Sequence, residues 1–146
     1  SLFVIAIAAL FIARLCWRSA AAYLFIVTLS ILSHTQAKIH FARARPQLTP
    51  WLDYAGDMSY PSGHAAGSMV VLLAAALLIR ERWLHWAAIA LSLAIGITRP
   101  MLGMHWPSDV IGGWMWGAGF ALLGVGVAAR WVRPEQATER WSDRYL

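Results

Sequence analysis

The chain carries a single cysteine, Cys16, so neither an intramolecular disulfide nor a thiolate metal site can be assembled from it. Cys16 lies near the edge of an apolar run, and its role is read as packing. Charge is also scarce. Asp, Glu, Lys and Arg make up 13% of the 146 residues, where a soluble domain has about 25%. Acidic residues are the rarer sign, 7 against 12 Lys and Arg, and the formal net charge is +5. Asp53 and Asp57 have no His or Glu partners at ligand spacing, so they do not read as a metal site. The chain has no initiator Met, no basic leading segment and no small-residue cleavage site, which argues against a signal peptide. It opens inside an apolar run, and the expectation is that further residues precede Ser1.

What is abundant is apolar. Hydrophobic residues make up 60% of the chain and nine are Trp, where about 45–50% apolar is ordinary. The basic residues sit between the apolar runs and at their ends, which is the pattern of membrane flanks and an anion site, not of nucleic-acid binding. The predicted fold is therefore all-α, an integral membrane helical bundle. Five spans are visible. The first is Leu2 to about Trp17, with Arg14 near its end. The second begins near Ala20 and stays helix-compatible until Pro46 ends it at Ala44 or Arg45, roughly 35 Å of helix. The third is Ala65 to Ile79, the fourth Trp83 to Thr98 and the fifth Ile111 to Val132.

The connections carry as much information as the spans. Arg80-Glu81-Arg82 is so short that spans three and four must form an antiparallel pair. Gln47 to Tyr60 reads as a loop, with Trp51, Tyr54 and Tyr60 as interfacial anchors or a lid over a site. The domain boundary is placed at residue 132: 1–132 is the membrane domain, and 133–146 is a polar tail of alternating charge. The fifth span is rich in glycine (Gly112, Gly113, Gly117, Gly119, Gly124, Gly126), which predicts close packing inside the bundle more than dimerisation. Placing the 80–82 turn in the cytoplasm puts Arg14, Arg18, Arg80, Arg82 and the basic tail on that side. Lys38, Arg43, Arg45 and Arg99 then fall on the other face, with His34, His40, His64 and His105. Arg43, His34, His40 and His85 read as interfacial or headgroup-facing residues.

Three stretches converge on that second face. Lys38 and Arg45 are seven apart, about two helical turns, and would point the same way. Tyr60-Pro61-Ser62-Gly63-His64 opens the third span. There Ser62 is a candidate N-cap, and the free N–H groups of the helix start suit an anion such as phosphate. Arg99, His105 and Asp109 come from the second loop on this face and the start of the fifth helix. Pro107 fits the first turn of that helix, which leaves His105 just before it.

Lys38, six residues, then Arg45-Pro46 resembles the first motif of the type 2 phosphatidic acid phosphatase superfamily. Pro61-Ser62-Gly63-His64 resembles its second motif. Thr98-Arg99, five residues, His105, three residues and Asp109 resembles its third, with Thr98 where the family usually has Ser. Phosphoryl transfer needs a nucleophile in line, neutralised oxygens and a proton for the leaving group. His105 can be the nucleophile if Asp109 holds its other ring nitrogen, and His64 can be the general acid. Lys38, Arg45 and Arg99, with the Ser62 hydroxyl and the Gly63 N–H, can bind the phosphate oxygens.

The resemblance implies a phosphohistidine on His105 that water then hydrolyses, with no cofactor and no metal. It also implies six helices in the complete protein. The expected activity is hydrolysis of a lipid phosphate or diphosphate, of undecaprenyl diphosphate or phosphatidate type. The expected partners are that lipid and the bilayer, with no nucleic acid. The expected location is the bacterial inner membrane, with the site on the non-cytoplasmic face. A phosphotransferase using the same site and a non-enzymatic lipid binder or transporter are the alternatives. A vanadium haloperoxidase shares the motifs, but the apolar spans argue against one.

Overall fold

The computed structural model describes residues 5–7, 9–10, 17–47, 50 and 58–131. Four helices organise it: α1 is Trp17–Phe41, α2 Gly63–Ile79, α3 Arg82–Met101 and α4 Pro107–Ala128. Residues 5–7 and 9–10 are also helical, and no strand occurs among the described residues. Cys16, Arg14, Trp51, Asp53, Tyr54, Asp57 and the 133–146 tail lie outside them.

The predicted all-helical membrane bundle is what forms. α1, α3 and α4 are each long and apolar enough to cross a membrane. α2 has 17 residues and is the central helix, packed against the other three. Its alanines allow this. Ala65, Ala66, Ala74, Ala75 and Ala76 are buried along with Met69, Val70 and Leu73, so neighbouring helices approach it closely. Tyr23, Ile26 and Val27 of α1 and Ala121 of α4 complete the core, and Ile7 packs on it. The outer faces carry Phe25, Leu32, Trp86, Met115 and Leu123, all exposed. This is the inversion expected where the solvent is lipid.

α3 buries a narrow stripe, Ala88, Ser92 and Gly96, spaced four apart on one helical face. Gly96 leaves room for the Trp114 ring, whose Nε1 donates to the Ser92 carbonyl at 3.0 Å. α4 meets α2 through Gly113 and Gly117. A Cβ on Gly113 would stand 2.6 Å from the Ser62 carbonyl oxygen, and one on Gly117 would collide with the Ala66 carbonyl. The glycine-rich span therefore packs inside the bundle at these positions, while Gly119 and Gly126 face open space.

Several boundaries differ from the sequence reading. Among the described residues α1 is helical from Trp17, ahead of the Ala20 start expected, and takes in Arg18. The Arg18 guanidinium lies over the rings of both Trp17 and Trp131, at 5.7 and 5.9 Å. α1 ends at Phe41, short of Ala44, because Ala42 turns left-handed at φ 44° after its N–H closes on the Lys38 carbonyl. Residues 42–47 are not helical, so Lys38 and Arg45 do not share a helical face. α3 continues past Thr98 through Pro100 to Met101, which shortens the loop before α4. The 80–82 connection is as tight as expected. Arg80 caps α2 in the left-handed region, and its N–H bonds the Ala76 carbonyl.

Because α2 and α4 touch backbone to backbone, Gly117→Leu should destabilise the protein by about 1–3 kcal/mol or more through overpacking. Gly119→Leu, which meets open space, should stay within about 0.5 kcal/mol. Unfolding midpoints in detergent check the pair, and equal effects would contradict the packing described.

Candidate active site

The carboxylate of Asp109 is fully buried at the start of α4. A buried carboxylate must be paired and hydrogen-bonded. Its Oδ2 accepts from the Trp106 N–H at 2.9 Å, which caps the helix, and from the Ser59 hydroxyl in a short hydrogen bond. Its Oδ1 accepts from Arg43 Nη1 at 2.7 Å. Its backbone carbonyl accepts the Ser62 N–H at 2.9 Å and so ties the mouth of α2 to the mouth of α4. Pro107 sits in the first turn as expected, and His105 precedes the helix.

His105 is 4% exposed. Its Nδ1 lies 3.5 Å from Asp109 Oδ2 and 3.5 Å from Ser59 Oγ. Its Nε2 lies 3.1 Å from Arg45 Nη1. A guanidinium can only donate, so Nε2 carries the lone pair and Nδ1 carries the proton toward Asp109. Burial, reinforced by the charge of Arg45, lowers the His105 pKa to about 4 against the pull of Asp109. At neutral pH the ring is thus an uncharged base whose free lone pair faces the cation side.

Two of the predicted cations meet there. Lys38 is buried and donates to the Met58 carbonyl at 2.7 Å. Arg45 donates to the Met104 carbonyl at 2.8 Å and lies 3.5 Å from that of Met58. Their convergence comes from the non-helical 42–47 segment folding back on the 104–109 stretch. Ser59 N–H to the Arg43 carbonyl (2.8 Å) and Trp106 Nε1 to the Ala44 carbonyl (3.2 Å) hold the same fold-back.

The remaining predicted residues flank this cluster. Ser62 is the residue before α2, but its hydroxyl makes no capping bond. Its Oγ is buried without a partner among the described residues. Gly63 is the first residue of α2, and His64, on the same first turn, is exposed. Arg99, in the last turn of α3, donates to the Thr98 hydroxyl at 3.0 and 2.9 Å. Its carbonyl accepts the Met104 N–H at 3.3 Å, which fixes the turn leading to His105. His34 Nε2 meets the Pro61 carbonyl at 3.1 Å, a structural link from α1 to the α2 mouth.

Ser59 and Arg43 were missed as members of the cluster. Ser59 had no signal beyond its place in a polar loop. Arg43 stands two residues before Arg45, and in extended chain that spacing puts both on one side. Among the described residues no group of three or more His, Cys, Asp or Glu is arranged to hold a metal ion. An apolar groove of about 880 Å³ runs between α1 and α4, lined by residues such as Phe25, Leu29, Trp116 and Phe120. It includes no side chain of the cluster.

The model of the PAP2 superfamily matches residues 19–133. The lipid A 1-phosphatase of Rhizobium etli is 39% identical over 119 residues, covering 75% of this chain and 50% of that protein. The undecaprenyl-diphosphatase of Sulfolobus acidocaldarius is 37% identical over 73 residues, 47% of this chain and 33% of its own length. The crystal structure of the first transmembrane PAP2 type phosphatidylglycerolphosphate phosphatase from Bacillus subtilis superposes with a TM-score of 0.78 at 26% identity. That match covers 87% of this chain and 67% of the other. The chain spans about half the length of the Rhizobium relatives it matches.

A folded pKa of about 4 lies below the unfolded value near 6.5. The unfolded chain therefore binds more protons between these limits, and this group costs stability as pH falls from about 6.5 to 4. A ¹⁵N imidazole titration in micelles should place the His105 midpoint near 4, with the proton on Nδ1 above it. A midpoint near 6.5 would contradict the burial and cation effects.

Proposed function

The chain belongs to the PAP2 superfamily, and from that premise we propose that it is an integral membrane phosphatase. It hydrolyses a terminal phosphate or diphosphate on a lipid through a phosphohistidine on His105. The observation that carries this reading is the His105 ring, buried and neutral, with Nδ1 toward Asp109 and Nε2 3.1 Å from Arg45. A nucleophile for phosphorus needs such a lone pair held beside positive charge.

In the reaction, the phosphate displaces Arg45 from Nε2, and the guanidinium passes to the phosphate oxygens. Nε2 attacks phosphorus in line, and the bond to the lipid oxygen breaks. His64 donates a proton to that leaving oxygen. Asp109 stabilises the ring as it becomes cationic. Water, deprotonated by His64, then attacks phosphorus, the P–N bond breaks and its electron pair returns to Nε2. Lys38, Arg45 and Arg99 neutralise the oxygens, which removes the need for a metal. The Ser62 hydroxyl, buried without a partner, and the Gly63 N–H at the start of α2 add donors.

The relatives' names cover lipid A, undecaprenyl diphosphate and phosphatidylglycerolphosphate. What these share is a phosphoryl group on an apolar anchor. The same class is assigned here, with undecaprenyl diphosphate and phosphatidate-type lipids as leading candidates. The lipid enters sideways from the bilayer. The charge distribution favours a bacterial inner membrane, with the 80–82 turn inside and the site on the non-cytoplasmic face.

Phosphate release from a panel of lipid phosphates in detergent tests the reading. Release should survive EDTA and be blocked by vanadate. His105→Ala should lose roughly 10³-fold or more in kcat while keeping its unfolding midpoint. Wild-type rates in that variant, or complete loss with EDTA, would overturn the mechanism.

A further inference from the structure

Arg43 has no place in the assignments above, and anchoring to a headgroup layer does not account for its contacts. An anchoring arginine turns its head toward lipid phosphates and water. This one, though its side chain is 40% exposed, bonds a buried carboxylate instead. Its Nη1 is 2.7 Å from Asp109 Oδ1 and 2.8 Å from Ser108 Oγ, and its guanidinium lies over the Trp106 ring at 5.7 Å. The carboxylate it meets has no exposed surface.

The backbone explains how it gets there. α1 ends at Phe41, and the chain from 42 to 47 is not helical. This non-helical run brings both arginines against the 105–109 stretch. Arg45 is presented to His105 Nε2 and Arg43 to Asp109 Oδ1. Ala44 between them accepts the Trp106 indole N–H. The two arginines hold the two members of the His-Asp couple from one segment.

We propose that Arg43 is a positioning residue that acts through Asp109: it grips Oδ1 so that Oδ2 stays directed at Ser59 and at Nδ1 of His105. Its role in turnover rests on the phosphatase reading, but its effect on the couple does not. The charged groups facing His105 are Lys38 of α1, Arg45 of the non-helical segment after it and Asp109 of α4. With Arg43 in place, the charge of Asp109 is shared between a guanidinium and the imidazole. Without it, the carboxylate acts on His105 alone, and the ring holds a proton more tightly. Orientation suffers too, because one of the carboxylate oxygens loses its anchor.

The test uses the full chain in detergent micelles with Arg43→Gln, which keeps a donor without the charge, and Arg43→Lys, which keeps the charge without the fork. The ¹⁵N imidazole titration reads His105 directly. The Gln variant should raise the His105 midpoint by about one unit or more toward 6.5, and the Lys variant by less. Phosphate release from a short-chain phosphatidate should show kcat reduced about tenfold or more in the Gln variant with KM little changed, and partial rescue by Lys. Should the Gln variant fail to fold, the Lys variant still reports both quantities. An unchanged His105 midpoint and tautomer in the variants would overturn the proposal whatever the activity. A wild type that releases no phosphate, yet whose His105 midpoint responds to Arg43, would count against the phosphatase reading and for the positioning role.

Discussion

The buried carboxylate of Asp109 is the constraint on which the rest of the site depends. An ion of this size leaves water at a cost of several kcal/mol unless its surroundings replace the solvent. Here a helix N–H, a hydroxyl, a guanidinium and an imidazole surround its two oxygens. These groups come from three stretches: the turn before α4, which supplies both Trp106 and His105, the end of the long loop, and the segment after α1. Satisfying one charge therefore assembles the polar end of the bundle. The Asp109 carbonyl, holding the Ser62 N–H, adds the α2 mouth to the same point.

The apolar part of the protein makes that assembly possible by being close-packed and featureless. In lipid, helices gain little from burying leucine, because the surroundings are equally apolar. Small residues do the work instead. The alanines of α2 and Gly113 with Gly117 of α4 let backbones touch, and Gly96 in the α3 stripe makes room for the Trp114 ring. Gly113 meets the Ser62 carbonyl, so one of the close α2–α4 approaches lies about a turn from Asp109. Packing at that point fixes the two helix starts against each other, and the site inherits their rigidity.

The polar segments then divide the charges. Lys38 and Arg45 both reach the Met58 carbonyl, Arg45 also reaches Nε2 of His105, and Arg43 reaches Asp109. Positive charge thus surrounds the ring on its lone-pair side, while the negative charge stays on the Nδ1 side. Burial, with that asymmetry added, keeps the imidazole neutral yet oriented. An isolated surface histidine would have neither property.

Much was legible in the sequence. The apolar runs determined the helices, because spans of this length have no other way to satisfy their backbone in lipid. Pro107 announced the start of α4, and the Arg80-Glu81-Arg82 link announced the antiparallel pair. Family membership followed from Lys38, Arg45, Ser62, Gly63, His64, Arg99, His105 and Asp109 in order, because the spacing of such rare polar residues is specific. Tertiary structure decided where α1 stops. Pro46 permits helix to Ala44, but bonds from Ser59 and Trp106 to the 43–44 carbonyls hold the segment that follows Phe41 out of the helix. It also decided that Ser59 and Arg43 belong to the site. Ser59 stands 50 residues from Asp109 and Arg43 stands 66. No local pattern encodes a partner at that distance; only the folded chain brings the carboxylate to them.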